Sequence, residues 1–344
     1  MQTDDPRSDR TPTLADVARL ASVSTATVSR CLNSPDRVIE DTRNKVMKAV
    51  RELGYAPNFN ARALAAKRTN TIGAIIPTME NAIFARGLQA FQEELGRNGI
   101  TMLVASSSYQ SDLEEEQIRT LVSRGADGLL LIGYRRDPRI YEFLKRQGVP
   151  VVIAWGYDPK AQVPTVGFDN FAAMKSLAGK VIGMGHRRIA TITASTHDND
   201  RASERLAGIL AAMVEAGIPE TDLSIVETTY GIDEGGAALE HLMTLPDRPS
   251  VVMCGNDVLA VGVIAKAQEL GLNVPADLSV TGFDDIEIAK ISSPPLTTVH
   301  VPHRRMGKEA ARLLINLVGS DRPNGKVLIE TSLQMRESLT EYAD

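Results

Sequence analysis

The stretch Thr13–Asn33, TLADVARLASVSTATVSRCLN, contains two helical faces separated by a short turn and no strand pattern. Thr13 followed three residues later by Asp16 imitates a capping box, after which Leu14, Val17, Ala18 and Ala21 fall on one helical face. A turn at Ser22-Val23 leads to Ser24, which is placed to cap a second helix running from Thr25 to about Asn33. Its inward residues would be Ala26 or Thr27, Val28 and Leu32. Further out, roughly Asp41 to Leu53 predicts a third helix burying Val46, Ala49, Val50 and Leu53; Gly54 ends it and Pro57 forbids continuation.

Two short helices at this spacing are a helix-turn-helix pattern. The first helix would cross a DNA backbone, and the N-terminal residues of the second would reach base edges in the major groove. Thr25, Ala26 and Arg30 then face DNA: Arg30 suits guanine, Ala26 a thymine methyl, and Thr25 a base or phosphate. Ser24, Thr27 and Ser29 are candidate phosphate donors. A helical bundle that merely packs against the rest of the chain is the competing reading. Charge argues against it: residues 13–68 hold ten Lys/Arg against five Asp/Glu, whereas the whole chain carries -5. Attraction to a polyphosphate is therefore confined to the N-terminal module, and the acidic remainder repels nucleic acid.

With 344 residues, 43% apolar and 24% charged, the chain is long enough for two or three packed cores and is not disordered throughout. It has no run of about 18 apolar residues, and its first residues are acidic and polar, unlike a signal peptide, so a cytoplasmic protein with no membrane partner is expected. Cys31 and Cys254 stand far apart in unlike contexts, which speaks against a disulfide framework or a Cys-based zinc site.

From Thr71 onward short apolar runs alternate with amphipathic helices. Strands are predicted over 72–77, 101–105, 128–132, 151–154, 189–193, 224–227, 251–254 and 278–283, with helices such as 82–97, 113–124, 170–184, 204–216 and 258–270 between them. Continuous apolar strands separated by helices make a parallel sheet covered on both faces. The series is too long for one sheet and splits near Val166 to Asp169, giving two lobes with a crevice between them. A break at Pro294 to Thr298 precedes a last helix (303–318) and two closing strands, so the chain crosses between lobes more than twice.

Ligands of open parallel sheets bind beyond the carboxyl ends of the strands. Ile83, Phe84, Ser107, Trp155, Arg205, Tyr230, Asn256 and Asp284 occupy those positions. Planar rings (Phe84, Trp155, Tyr230) with a few hydrogen-bonding groups (Arg205, Asn256, Asp284) suit a polyol ring, and an unpaired Arg205 also admits a sugar acid. Core packing is the other reading of Trp155, and loop capping that of Asp284. Other motifs carry nothing. Gly183-Met184-Gly185 precedes its strand and is no dinucleotide turn, and 319–326 is no phosphate loop. His300 and His303 lack a third metal ligand and read as solvated loop histidines, and Glu114-Glu115-Glu116 reads as a solvated helix face. No cofactor, metal or enzymatic nucleophile is expected.

The segments LADVARLASVSTATVSRCLN (14–33), ELGYAPN (52–58), LAAKRTNTIG (64–73), GNDVLAVG (255–262), NVPADLSVTGFDD (273–285), PPLTTV (294–299) and LQMRESL (333–339) together resemble lac-repressor-family transcriptional regulators, in the family's order and spacing. The resemblance implies an α/β chain with an N-terminal three-helix helix-turn-helix domain and a two-lobed, periplasmic-binding-protein-like body. Expected bounds are 1–12 for a disordered start, 13–56 for the DNA-binding domain and 57–69 for a hinge. The N-lobe would take 70–168 and 298–327, and the C-lobe 169–297 and 328–344. It also implies a homodimeric repressor on a palindromic operator, controlled allosterically by a small sugar or sugar-acid effector. Arg205, Asn256 and Asp284 match the family's effector positions, and Tyr230 falls where other members place an aromatic. Thr13, Asn33, Asn58, Leu64 and Lys67 complete the implied DNA set, with Leu64 at the position that wedges into the minor groove. The blocks GFDNFAAMKS (167–176) and SYQSDLEEEQIRTL (108–121) resemble gluconate-type members. Three residues depart from the pattern: Ser22 replaces a turn glycine, Ile39 a capping serine and Trp155 a commonly acidic residue.

The same two-lobed body would serve a periplasmic solute-binding protein, and a sugar-metabolising enzyme with a DNA-binding appendage is a third class. The basic N-terminal module argues against the former, and the lack of any catalytic set against the latter.

Overall fold

The computed structural model describes residues 10–56, 68–80, 82–319 and 325–342, and the chain divides between Thr69 and Asn70 into two compact units. In the first, α1 (Leu14–Leu20), α2 (Thr25–Asn33) and α3 (Glu40–Leu53) enclose Val17, Ala18, Ala21, Val28, Cys31, Val46 and Ala49. The capping box at Thr13 is complete: Asp16 accepts from the Thr13 amide at 2.9 Å, and the Asp16 amide donates to the Thr13 hydroxyl at 3.4 Å. Ser22 turns the chain with φ 53°, a left-handed conformation that glycine adopts freely and serine only at a cost. Ile39 offers α3 no side-chain cap, and Gly54 ends that helix with φ 64°. Of the two inward alternatives on α2, Ala26 is exposed and Thr27 half-buried. Cys31 supplies the packing expected of them, because it lies one helical turn from Val28.

In the second unit, β1 (Thr71–Ile76), β2 (Thr101–Ser106), β3 (Gly128–Ile132), β4 (Val151–Ala154), β5 (Thr165–Gly167) and β11 (Lys326–Leu328) form one parallel sheet in the order β11-β5-β4-β3-β1-β2. A second parallel sheet runs β7-β6-β8-β9, from β6 (Ile189–Thr193), β7 (Leu223–Glu227), β8 (Val251–Cys254) and β9 (Ser279–Thr281). The short strands β10 (Thr298–His300) and β12 (Ser332–Gln334) pair antiparallel with each other. β5 and β10 do not stand out in the sequence, since three residues are too few to show a period. The helices are α4 (Ala82–Arg97), α5 (Ser111–Ser123), α6 (Pro138–Gln147), α7 (Asn170–Gly183), α8 (Asp200–Glu215), α9 (Ile232–Met243), α10 (Asp257–Glu269), α11 (Ile288–Ile291) and α12 (His303–Gly319).

The central strands β1, β3, β4, β6 and β8 are buried along their whole length, as strands covered by helices on both faces must be. α12 returns from the second sheet to pack on α4 and on β3, β4 and β5. Gly87 and Gly307 let the two helices approach backbone to backbone; a Cβ at 307 would strike the Gly87 carbonyl and one at 87 the Trp155 ring. Glu114 is not on a solvated face: it forms a salt bridge to Arg136, whose side chain is only 3% exposed, at 3.1 Å, because α5 packs beside the loop after β3.

Candidate functional site: an inter-lobe effector cleft and a DNA-reading helix

Two kinds of contact join the lobes. The loop after β3 meets the start of α8, where the Tyr134 amide donates to Asp200 and Arg135 Nη1 donates to the Thr196 and His197 carbonyls. Arg86 on α4 pairs with Glu287, just before α11. Within the lobe of the first sheet, Trp155, following β4, donates from Nε1 to His303 Nδ1 at 3.3 Å.

Between these contacts lie the side chains expected to bind an effector. Arg205, on α8, is 7% exposed; it donates from Nη2 to the Tyr230 hydroxyl at 3.1 Å and lies 4.6 Å from the Phe283 ring centroid, leaving Nε without a partner. Asn256 caps α10, its Oδ1 accepting from the Leu259 amide at 2.9 Å, so its buried Nδ2 is unpaired. Asp284 sits in a turn with φ 104°, 2% exposed, its Oδ2 likewise unpaired. Burial pushes the Asp284 carboxyl up to about 7 against the pull of Arg205 and Arg201. Buried polar atoms normally find partners, so the three orphans in the first turns of α8, before α10 and just after β9 make this a candidate place for a polar guest.

The apolar wall follows. Phe84, in the first turn of α4, meets the Trp155 ring edge-on at a centroid distance of 5.3 Å. Trp155 is 3% exposed with φ 61°, seated over Gly87, and its only polar hydrogen is used by His303. It belongs to the core cluster, as the packing reading of this residue requires. Ile83 and Ser107 are buried beyond the ends of β1 and β2, while Tyr230 is half-buried.

Sequence reasoning missed five further residues of this region. Tyr109, in the left-handed region at φ 58°, lies 6.1 Å ring to ring from Tyr230, and burial raises its hydroxyl pKa. His303 is no solvated loop histidine: it is 4% exposed, and burial depresses its pKa to about 3. The reason is the return of α12, which carries its first residue inward. His300 is half-buried and holds Asp285 at 2.9 Å. Asn170 donates from Nδ2 to the Trp155 carbonyl at 3.0 Å and leaves Oδ1 unpaired. Glu204, one position before Arg205, is pushed up to about 7 by burial and by Asp200 and Asp169. No group of three His, Cys, Asp or Glu among the described residues could hold a metal.

In the first unit, Thr13, Ser24, Thr25, Ala26, Arg30 and Asn33 are exposed, and Thr27 and Ser29 half-buried. The Ser24 and Thr27 hydroxyls lie 2.9 Å apart, so one donates to the other and the other's hydrogen is free to reach outward. Asn33 Nδ2 donates to Ser29 Oγ at 3.2 Å, steadying the same face. Asn58, Leu64 and Lys67 lie outside the described residues.

Residues 13–58 match the bacterial regulatory proteins of the lacI family, and residues 178–339 a periplasmic binding protein-like domain. The chain is 34% identical to the HTH-type transcriptional repressor CytR of Escherichia coli (strain K12) over 335 residues, covering 96% of this chain and 97% of that protein. The chain belongs to the lacI family. A second member, the HTH-type transcriptional repressor PurR of Vibrio vulnificus (strain CMCP6), is 36% identical over 321 residues, covering 92% of this chain and 95% of that one. The lac repressor dimer bound to operator and the anti-inducer ONPF superposes with a TM-score of 0.85 at 25% identity, covering 96% of this chain and 100% of that one. As a lacI-family member the chain is a DNA-binding transcriptional regulator and not an enzyme. No helix among the described residues is long and apolar enough to cross a membrane.

Proposed function

We propose that this regulator acts in the cytoplasm as a homodimeric repressor whose helix-turn-helix units grip a palindromic operator and whose cleft binds a small sugar or sugar acid. Arg30, Thr25 and Ala26 read base edges, while Thr13, Ser24, Thr27, Ser29 and Asn33 contact phosphates or sugars. Asn58, Leu64 and Lys67 complete the DNA contact. Ile83, Phe84, Ser107 and Trp155 wall the effector site; Arg205, Tyr230, Asn256 and Asp284 hold the effector's polar groups. One observation carries this reading: Arg205 Nε, Asn256 Nδ2 and Asp284 Oδ2 are buried together and unpartnered.

A two-lobed body changes the relation of its lobes when a guest satisfies groups from both, and that differential binding is what an allosteric effector requires. A gel-shift assay on promoter fragments, with and without sugars and sugar acids, tests the reading. Expected is selective retardation of one palindrome, altered by one compound. Indifference between that palindrome and random competitor overturns it.

A further inference from the structure

An indole N–H can only donate. Since Trp155 Nε1 faces His303 Nδ1 at 3.3 Å, that nitrogen accepts, and the neutral imidazole carries its hydrogen on Nε2. Burial keeps the ring neutral, against a smaller opposing pull from the Asp284 backbone carbonyl. Nε2 is buried without a hydrogen-bond partner and lies 3.6 Å from Asp284 Oδ1, beyond bonding reach. Asp284 Oδ2 is unpartnered as well. A fixed donor, drawn only weakly by the Asp284 backbone carbonyl, and a carboxyl oxygen thus stand side by side, neither holding a full hydrogen bond.

We propose that His303 is a specificity-determining contact of the effector, and that Trp155 is the positioning residue that fixes it as an Nε2–H donor. One effector hydroxyl then accepts from His303 Nε2 and donates to Asp284 Oδ2, bridging the two from the side, since the 3.6 Å between Nε2 and Oδ1 admits no oxygen on the line joining them. Above about pH 7, where the Asp284 carboxyl is ionised, only a hydroxyl of the common ligand groups answers both, because it accepts and donates at once. A carbonyl or carboxylate oxygen would satisfy His303 and set a lone pair against Asp284. An ammonium would satisfy Asp284 and oppose the imidazole N–H. The arrangement is held stiffly: Trp155 rests on Gly87 and against Phe84, and Gly307, one helical turn after His303, packs on the Gly87 backbone. The class of effector selected is polyhydroxylated, with a hydroxyl rather than a carboxylate at this end of the cleft. The inference rests on the cleft being the effector site.

The test begins with the full-length protein labelled with 15N-histidine, the His303 signals being assigned by their loss in His303→Gln. Long-range 1H–15N correlations should show Nδ1 bare and Nε2 protonated from about pH 5 to about pH 8, and Trp155→Phe should move both nitrogens toward tautomer averaging. An imidazolium, or a hydrogen on Nδ1, overturns the proposal without any ligand being needed.

Thermal shift and calorimetry with D-glucose, D-galactose, D-ribose and D-gluconate supply the second measurement. A compound that binds should lose at least about tenfold in affinity in His303→Phe and recover part of it in His303→Gln, whose amide restores an N–H. Unchanged affinity in His303→Phe, or binding by none of the four, overturns the assignment. Operator retardation measured on the same samples reports separately whether the regulator reading itself has failed.

Discussion

Arg205 donates to the Tyr230 hydroxyl at 3.1 Å while its guanidinium covers the Phe283 ring at 4.6 Å, so its geometry is set before any guest arrives. Preorganisation of this kind lets a buried cation discriminate among ligands. Arg205→Ala should abolish the effector response while operator binding without effector is retained. Calorimetry showing normal effector affinity in the variant would remove Arg205 from the site.

Asp284 gives a pH signature. Its carboxyl titrates near 7 when folded and near 3.9 when unfolded. Between those values the unfolded chain is ionised while the folded one holds its proton, so stability is lost as pH rises through that window and levels off above it. Asp284→Asn titrates in neither state. Its stability relative to wild type should therefore climb between about pH 4 and about pH 7, by at most about 1.4 kcal/mol per pH unit. Glu204, also near 7, contributes to both proteins and leaves the difference unaffected. A difference independent of pH in scanning calorimetry would contradict the argument.

Ser22 holds φ 53° without the freedom of glycine. Ser22→Gly should stabilise the α1–α3 unit by about 1 kcal/mol, read as slower amide exchange in α1 and α2. Ser22→Val should shift exchange the other way.

Arg30 stands exposed on the outer face of α2. Arg30→Ala should weaken operator binding by about 1–3 kcal/mol and relax preference at a single base pair. Unchanged gel-shift affinity would reject its base-reading role.

Asp200 accepts from the Tyr134 amide across the lobes and from Arg201 Nη1 at 2.8 Å. Asp200→Ala strands both donors, so the body should lose about 1–3 kcal/mol of stability. Unfolding followed by the fluorescence of Trp155 checks this, and an unshifted transition would mean the link carries no weight.

Local chemistry was plain in the sequence wherever one short segment decides its own conformation. α2 lies where the Ser24 cap and the Val28 face put it, β3, β4, β6 and β8 coincide with their apolar runs, and Gly54 stops α3. Arg205, Asn256 and Asp284 could be picked out because each follows a strand end. His303 could not: its partner Trp155 lies 148 positions away, and no periodicity speaks of a helix that returns to the other lobe. Tyr109 was hidden because its placement depends on a left-handed turn at a non-glycine residue. Glu114 read as solvated because its buried partner, Arg136, is brought to it only when α5 packs.

The close crossing of α4 and α12 at Gly87 and Gly307 leaves the ground beneath Trp155 with no side chain to yield. A visitor to the crevice therefore cannot be accommodated by denting that wall. On the proposed reading its arrival is expected to displace the opposite half of the body, so that two residues lacking any functional group become the anvil against which the signal is struck.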